Sequence, residues 1–199
     1  MARDFFEAVK SRRTVYGIGK ASTVSDGRLE EIIGEALKHG PSPFNSQSGR
    51  IVLLLGKRHD ELWDATKEIL RPLVPAEAFA QTEQKLAAFK AGYGTVLFFE
   101  DQKVVQGLQE NFALYKEKFP VWSGNATGIL QFIVWTGLTA EGLGASLQHY
   151  DPLVDRWVHE RTGVPESWKL TAEMPFGKPT APAGPKEFQP LDGRFKVLR

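Results

Sequence analysis

The first residues that could do chemistry are two arginines and a threonine near the start of the chain. Arg12 and Arg13 place two guanidinium groups beside the hydroxyl group of Thr14. Guanidinium groups donate paired hydrogen bonds to phosphate oxygens, and a hydroxyl group adds a further donor. The cluster is therefore suited to bind a phosphate group. It would also suit the solvated end of a helix, where positive charges are favoured, and composition alone leaves both interpretations open.

A polar loop stiffened by prolines follows at residues 41–49, with the sequence PSPFNSQSG. Its amide and hydroxyl groups surround one aromatic residue, Phe44. Such donors and acceptors suit a polar heterocycle or a polyol. Ordinary turns share this composition, so the residues themselves allow either a binding loop or a plain connection.

The sequence lacks the common signatures of catalytic side chains. It contains no glycine-rich nucleotide-binding motif, no G-x-S-x-G and no H-E-x-x-H. The absence of cysteine excludes disulfides, thiolate metal sites and a cysteine nucleophile. The histidines, which show no metal-ligand spacing, are His39, His59, His149 and His159. We therefore expect no catalytic side chain and no metal, and an enzyme with this sequence would rely on a bound cofactor.

The charge balance narrows the class of partner. The 199 residues include 25 Lys and Arg against 24 Asp and Glu, a net charge of +1, so nucleic acid and anionic membranes are not expected partners. The first residues lack the apolar run of a signal peptide, and no stretch of roughly 18 residues is free of polar groups. We expect one domain over residues 1–199, in the cytoplasm.

The elements that must position these residues follow from apolar periodicity. One helix lies between a Ser25 cap and a Gly40-Pro41 stop. Further helices are predicted at residues 4–13, 59–70, 76–90, 102–118 and 151–161. Strands are predicted at residues 50–55, 95–99 and 168–176, and residues 195–198 are a candidate edge strand. This alternation is typical of an α/β or α+β protein.

Residues 122–150 contain the longest apolar pattern of the chain. Phe132 and Trp135 make the face opposite the main apolar stripe apolar too, which predicts a helix of roughly 36 Å that is buried on all sides. Ser123 or Asn125 would cap its start. A helix without a polar face needs partners on every side, so we expect a second copy of the chain to cover part of it.

Three strings of the sequence together resemble the flavin-contact segments of the FMN-dependent nitroreductase family. They are R-R-T at residues 12–14, P-S-P-F-N-S-Q at residues 41–47 and G-L-G-A-S-L-Q-H-Y at residues 142–150. The resemblance covers nearly the whole chain and is closest to the small stress-linked and fatty-acid-repression-mutant-like subgroup. It implies a homodimeric α+β fold of three layers, with a central, mainly antiparallel sheet and the long helix at the dimer interface. It also implies two FMN sites between the subunits. The tail at about residues 178–199 is rich in proline and glycine, so it would either fray or lie across a neighbour, and we predict that it crosses to the partner subunit.

The resemblance also implies the cofactor contacts. Arg12 would bind the phosphate, Arg13 and Thr14 the phosphate, ribityl chain or ring edge, and Lys186 would add a late positive charge at the phosphate. The loop would reach the flavin from the other subunit through Ser42, Pro43, Phe44, Asn45 and Gln47. The backbone of Gln148 and His149, with Tyr150 nearby, would donate to flavin N5. Many relatives carry R-x-S-x-R at the first site, where this chain has Thr14 and Tyr16.

The implied activity is that of an FMN-dependent NAD(P)H oxidoreductase that reduces nitroaromatics, quinones or related acceptors by ping-pong hydride transfer. Small aromatic acceptors would bind against Phe112, Tyr115, Phe119 and Trp122. The sequence does not distinguish NADH from NADPH. Two alternatives stay open at this stage: a flavin-binding redox sensor with little turnover, and a flavin-free protein that keeps only the fold.

Overall fold

A mainly antiparallel sheet forms the centre of the computed structural model, which describes residues 4–199. The strands are β1 (Ile18–Gly19), β2 (Gly49–Leu55), β3 (Gly94–Asp101), β4 (Gly144–Ala145) and β5 (Trp168–Pro179). Their order is β1-β5-β3-β2, with β4 paired to β5, and every pairing between these strands is antiparallel. β3 is buried along its whole length, which explains its continuous apolar sequence.

Helices cover both faces of this sheet. They are α1 (Phe5–Ser11), α2 (Asp26–His39), α3 (Lys57–Leu70), α4 (Ala76–Lys90), α5 (Gln102–Asn111), α6 (Phe119–Ala140) and α7 (Asp155–Thr162). Short 3-10 helices lie at Pro43–Asn45 and Ala113–Tyr115. Because side chains alternate along a strand, Val96 packs in the core cluster with α2 and α6, while Leu97 packs in the cluster with α3, α4 and α7. The predicted three-layer α+β arrangement is confirmed.

The long helix α6 differs from its prediction at both ends. It begins at Phe119 with Pro120 in its first turn, where a residue without an N–H is tolerated, so the predicted caps Ser123 and Asn125 are wrong. It ends at Ala140, just before Gly142 turns the chain with φ of 82°. The helix is also not buried on all sides of one chain, since Val121, Ile129 and Phe132 are exposed.

Three further predictions need correction. The helix predicted over residues 102–118 breaks at Phe112, where the ring packs 4.7 Å from the Phe44 ring and tertiary contact overrides helix propensity. The helix predicted from residue 151 begins at Asp155, after a turn. Residues 195–198 form no strand, because the Phe195 N–H closes a turn onto the Leu191 carbonyl. The Ser25 cap, in contrast, is confirmed by its bond to the Arg28 N–H.

Candidate functional site

The R-R-T string lies against the segment that follows α6. Thr14 forms a parallel bridge with Ala145, and the Val15 N–H donates to the Ala145 carbonyl at 2.9 Å. A side chain at Gly144 would place its Cβ 2.9 Å from the Val15 Cβ, so glycine is required for this close approach. Two of the three predicted strings are therefore neighbours within one chain.

Arg12 and Arg13 form a pair of adjacent positive side chains. The Arg12 guanidinium lies 4.5 Å from the centre of the Trp135 ring, and burial, together with the charge of Arg13, lowers the pKa of Arg12. Within residues 4–199, neither arginine forms an ion pair with a carboxylate. A partly buried positive pair of this kind is suited to bind an anion.

The C-terminal segment reaches the same place. Arg13 Nη2 donates to the Pro185 carbonyl at 3.4 Å, which brings the residue preceding Lys186 against the R-R-T string. A cavity of about 160 Å³ lies beside it, lined by Ser11, Arg13, Val15, Thr139, Gly142, Leu143, Gly144 and Pro179. The Lys186 ammonium lies over the Phe188 ring at 5.2 Å. Whether residues 178–199 also cross to a partner stays a prediction.

Most backbone N–H groups of residues 148–150 are hydrogen-bonded to β5. The Gln148 N–H donates to the Glu173 carbonyl at 2.7 Å, and the Tyr150 N–H donates to Glu173 Oε2 at 3.0 Å. In the part of the chain that the structure describes, the N–H of His149 has no protein acceptor. Of the two predicted backbone donors, Gln148 and His149, only the His149 N–H is therefore available to a ligand. Its bond to flavin N5 stays a prediction.

Glu173, beside this segment, and Tyr150, within it, have perturbed pKa values. Burial raises the pKa of Glu173 to about 8, and the nearby Asp151 and Asp155 add to the shift. Burial, followed by the charges of Glu173 and Tyr16, raises the pKa of Tyr150 to about 12. Sequence reasoning missed Glu173, although an acidic residue inside an otherwise apolar strand is an available signal.

The polar loop is held in an unusual backbone conformation. Phe44, Asn45 and Gln47 have positive φ angles of 54°, 52° and 49°. Residues other than glycine adopt such angles only at a cost in free energy. The Ser42 hydroxyl accepts a bond from the Gln47 N–H at 2.9 Å and closes the turn. Such strain concentrates at functional sites and is maintained by the surrounding structure, which favours the binding-loop interpretation.

Arg50 is a residue of this site that the sequence did not reveal. Its Nη1 donates to the Gln47 carbonyl at 2.6 Å, and its Nη2 donates to Asp101 Oδ2 at 3.0 Å. Asp101 caps α5 through the Lys103 N–H. Arg50 therefore ties the strained loop to the start of α5, although its place in the sequence is simply that of a strand residue.

An aromatic cluster lies next to the loop. The ring of Phe44 lies 4.7 Å from that of Phe112 and 6.1 Å from that of Tyr115. The side chain of Phe119 is 0% exposed in the single chain and packs 5.5 Å from the Phe44 ring, and its role in an acceptor pocket stays a prediction. A cavity of about 400 Å³ opens beside the cluster, lined by Pro41, Ser42, Pro43, Phe44, Trp122, Asn125, Ala126 and Ile129. Phe44 and Trp122 are thus part of one wall.

The loop and the arginine pair lie at different parts of α6. The loop shares a cavity with Trp122 and Ile129, whereas Arg12 contacts Trp135 and Arg13 shares a cavity with Thr139. At a rise of about 1.5 Å per residue, Trp122 and Thr139 are separated by about 25 Å along the helix. One chain therefore does not bring the three strings into a single site.

Two further observations concern residues 4–199 as a whole. They contain no group of three or more side chains of the metal-binding types placed to hold an ion. No helix among them combines the length and apolar character that crossing a bilayer requires.

Comparison with known proteins identifies the class of fold and site. A model of the nitroreductase family matches residues 9–178, and the chain belongs to this family of oxidoreductases. The yeast (Saccharomyces cerevisiae) nitroreductase FRM2 is 32% identical over 188 residues, which cover 93% of each chain.

Solved structures are similar over almost the whole chain. Nitroreductase CinD from Lactococcus lactis in complex with chloramphenicol is 45% identical, with a TM-score of 0.89 over 98% of this chain and 100% of that one. CinD in complex with 4-nitrophenol is 47% identical over the same shares, with a TM-score of 0.86. A nitroreductase from Saccharomyces cerevisiae is 30% identical, with a TM-score of 0.78 over 87% of this chain and 94% of that one.

Proposed function

We propose that this protein is a homodimeric, FMN-dependent NAD(P)H oxidoreductase that reduces nitroaromatics, quinones or related acceptors. The observation that carries the proposal is the partly buried Arg12–Arg13 pair, in which Arg12 lies over the Trp135 ring and neither arginine has a carboxylate partner among residues 4–199. Two positive charges in this arrangement form a binding site for an anion. The phosphate of FMN supplies one.

The residues of this chain fit FMN in chemical type. The phosphate would be held by Arg12, Arg13 and Thr14, with Lys186 next to the contact between Arg13 and Pro185. The loop residues Ser42, Pro43, Phe44, Asn45 and Gln47 would meet the ring with polar groups and one aromatic side chain. His149 would offer its backbone N–H to the ring, with Gln148 and Tyr150 on either side.

The separation of the half-sites along α6 supports a homodimer. A two-fold axis across the exposed stripe of α6 would place the loop of one chain against the arginine pair of the other. The stripe includes Val121, Ile129 and Phe132, which are 60%, 42% and 37% exposed in the single chain. Apolar surface of this kind on a helix favours burial against another copy.

When bound, FMN would accept a hydride from NADH or NADPH and pass it to a second substrate in a ping-pong sequence. The protein's part would be to bind, orient and exclude water. The N–H of His149 would donate a hydrogen bond to the ring and favour its reduced form, and the aromatic wall would keep the acceptor face apolar. No side chain would be needed as a catalytic acid or base.

The acceptor class is argued from the cavity at Phe44 and Trp122. Its volume of about 400 Å³ suits a small aromatic molecule. CinD binds chloramphenicol and 4-nitrophenol, both of which carry a nitrophenyl ring, and nicotinic acid, which shares the pyridine ring of nicotinamide. These ligands support a pocket in this chain that takes flat rings of both kinds.

The experiment is to purify the protein with FMN and record its visible spectrum before and after anaerobic addition of NADH or NADPH. We expect a yellow dimer whose flavin absorbance is bleached by one or both nucleotides and restored by a nitroarene or quinone. A protein that takes up no FMN would refute the proposal. Bound FMN without turnover of any acceptor would instead favour the redox sensor.

A pair of arginine variants tests where the phosphate binds. Arg12→Ala should reduce FMN retention strongly, because it removes the stacked guanidinium. Arg71→Ala is the matched control, since Arg71 also lies 4.5 Å over an aromatic ring, that of Phe79, at a remote surface. Equal FMN retention in both variants would argue against a phosphate site at Arg12.

A further inference from the structure

Glu173 makes three hydrogen bonds to residues 148–150. Its side chain is 1% exposed. Its carbonyl accepts from the Gln148 N–H at 2.7 Å, its N–H donates to the Gln148 carbonyl at 3.0 Å, and its carboxylate oxygen Oε2 accepts from the Tyr150 N–H at 3.0 Å. A single residue thus fixes the backbone on both sides of His149.

We propose that Glu173 is a positioning residue that holds residues 148–150 so that only the His149 N–H faces the flavin, and that it does so as a neutral acid. The inference rests on the proposed function, because it assigns this segment to the flavin ring. Glu173 lies in β5, outside the three strings, and is protonated while it holds the segment.

The surroundings of the carboxyl group favour the neutral form. Glu173 Oε1 is buried and has no hydrogen-bond partner among residues 4–199, so an ionised group would leave a buried charge uncompensated. Burial, together with the negative charges of Asp151, which follows the segment, and Asp155 in α7, raises the pKa of Glu173 to about 8. Tyr150 is the other ionisable neighbour, and it is itself influenced by Tyr16.

The charge state has a consequence for the cofactor. Below about pH 8 the group is mostly protonated, and above it the group ionises. A negative charge behind residues 148–150 opposes the addition of electrons to the ring, because like charges repel strongly where water is excluded. The midpoint potential of bound FMN should therefore fall as Glu173 ionises.

Two variants separate the hydrogen bond from the charge. In Glu173→Gln an amide oxygen still accepts from the Tyr150 N–H, but the group cannot ionise; in Glu173→Ala both properties are lost. Glu166→Gln, at an exposed position, is the control for loss of a carboxylate at the surface.

The first measurement needs no flavin: amide hydrogen exchange of Tyr150 in the protein without added FMN. We expect wild type, Glu166→Gln and Glu173→Gln to protect this amide equally, and Glu173→Ala to exchange it at least about tenfold faster. Unchanged protection in a folded Glu173→Ala would overturn the positioning role. If that variant does not fold, loss of protection in Glu173→Gln would overturn it instead.

The second measurement is the midpoint potential of bound FMN between pH 6 and pH 9. Wild type and Glu173→Gln should agree below pH 7, and wild type should fall progressively below the variant above pH 8, while Glu166→Gln follows wild type. Identical curves for wild type and Glu173→Gln would overturn the neutral-acid role. Failure to bind FMN at all would refute the proposed function, and the exchange result would still stand.

Discussion

The guanidinium of Arg12 lies over the ring of Trp135, 4.5 Å from its centre. This contact joins the R-R-T string to α6, and it holds a positive group whose pKa is lowered by burial and by Arg13. An aromatic face stabilises a cation through its negative π surface. Arg12 is therefore fixed before any ligand arrives, which reduces the conformational entropy lost on binding.

Removing the ring should weaken FMN binding without abolishing it. A cation–π contact contributes about 0.5–2 kcal/mol, so Trp135→Leu should raise the Kd for FMN by about two- to thirtyfold, and Trp135→Phe should raise it less. Quenching of flavin fluorescence measures the Kd. Phe79→Leu, which removes the similar contact below Arg71, is the control; an equal Kd in wild type and Trp135→Leu would contradict the role of the ring.

The strained loop should become more stable when one of its residues is relaxed. Gln47 has φ of 49°, is exposed, and uses its side chain only in a long 3.5 Å bond to the Asn45 carbonyl. Gln47→Gly should therefore raise the free energy of unfolding by about 1 kcal/mol, as measured by urea denaturation. Gln84→Gly, at an exposed position inside α4, should lower it by about 0.5–1 kcal/mol. A loss of stability in both variants would show that the loop is not strained.

The aromatic wall should affect the acceptor more than the flavin. Phe112 is 39% exposed and packs on Phe44, so Phe112→Ala should raise the KM for a nitrophenyl substrate by a few-fold to about tenfold, given about 0.5–1.5 kcal/mol per ring contact. FMN content should not change. Leu114→Ala is the control, because Leu114 belongs to the same segment but is 85% exposed. A change in FMN content with unchanged KM would contradict the assignment.

A buried histidine should make stability depend on pH. His59 Nδ1 lies 2.8 Å from the Thr95 hydroxyl, and its Nε2 lies 3.1 Å from the Lys90 carbonyl. The Lys90 carbonyl can only accept, so the neutral ring carries its proton on Nε2. The Thr95 hydroxyl accepts from the Trp63 N–H and donates to Nδ1. Burial lowers the pKa of His59.

As the pH falls below about 6.5, His59 is protonated in the unfolded chain but stays neutral in the folded protein. The free energy of unfolding therefore decreases as the pH falls. Glu173 has the opposite effect over pH 5.5–7.5: because its pKa is raised in the folded protein, its contribution to the free energy of unfolding increases as the pH falls. The measurement is therefore a comparison of unfolding free energies at pH 7.5 and 5.5. Wild type should lose about 1 kcal/mol more than His59→Gln, and the exposed His39→Gln should follow wild type; equal losses in wild type and His59→Gln would refute the assignment.

Much of the fold was predictable because local patterns and tertiary packing agree. The uninterrupted apolar run of β3 predicts a central strand, and the Ser25 cap predicts the start of α2. The break at Phe112 was not predictable, because the ring of Phe44 comes from a distant part of the chain. The early end of α6 depends on Gly142, whose positive φ the apolar periodicity does not encode.

The three sequence strings of the candidate site were predictable, but the residues that hold them in place were not. Arg12 and the loop carry recognisable residue types, but Trp135 and Glu173 act through neighbours that lie far away in sequence. Arg50 has the same character, since its bonds to Gln47 and Asp101 exist only after β2 and β3 pair. Such supports become visible only with three-dimensional contacts.

The distance between the loop and the arginine pair along α6 has a genetic consequence. If each cavity draws its walls from both copies, a chain carrying Arg12→Ala and a chain carrying a defective loop can complement each other. Their mixed dimer would contain one cavity with both defects and one with none. Cells that express the two mutant genes together would then recover part of the activity that neither gene provides alone.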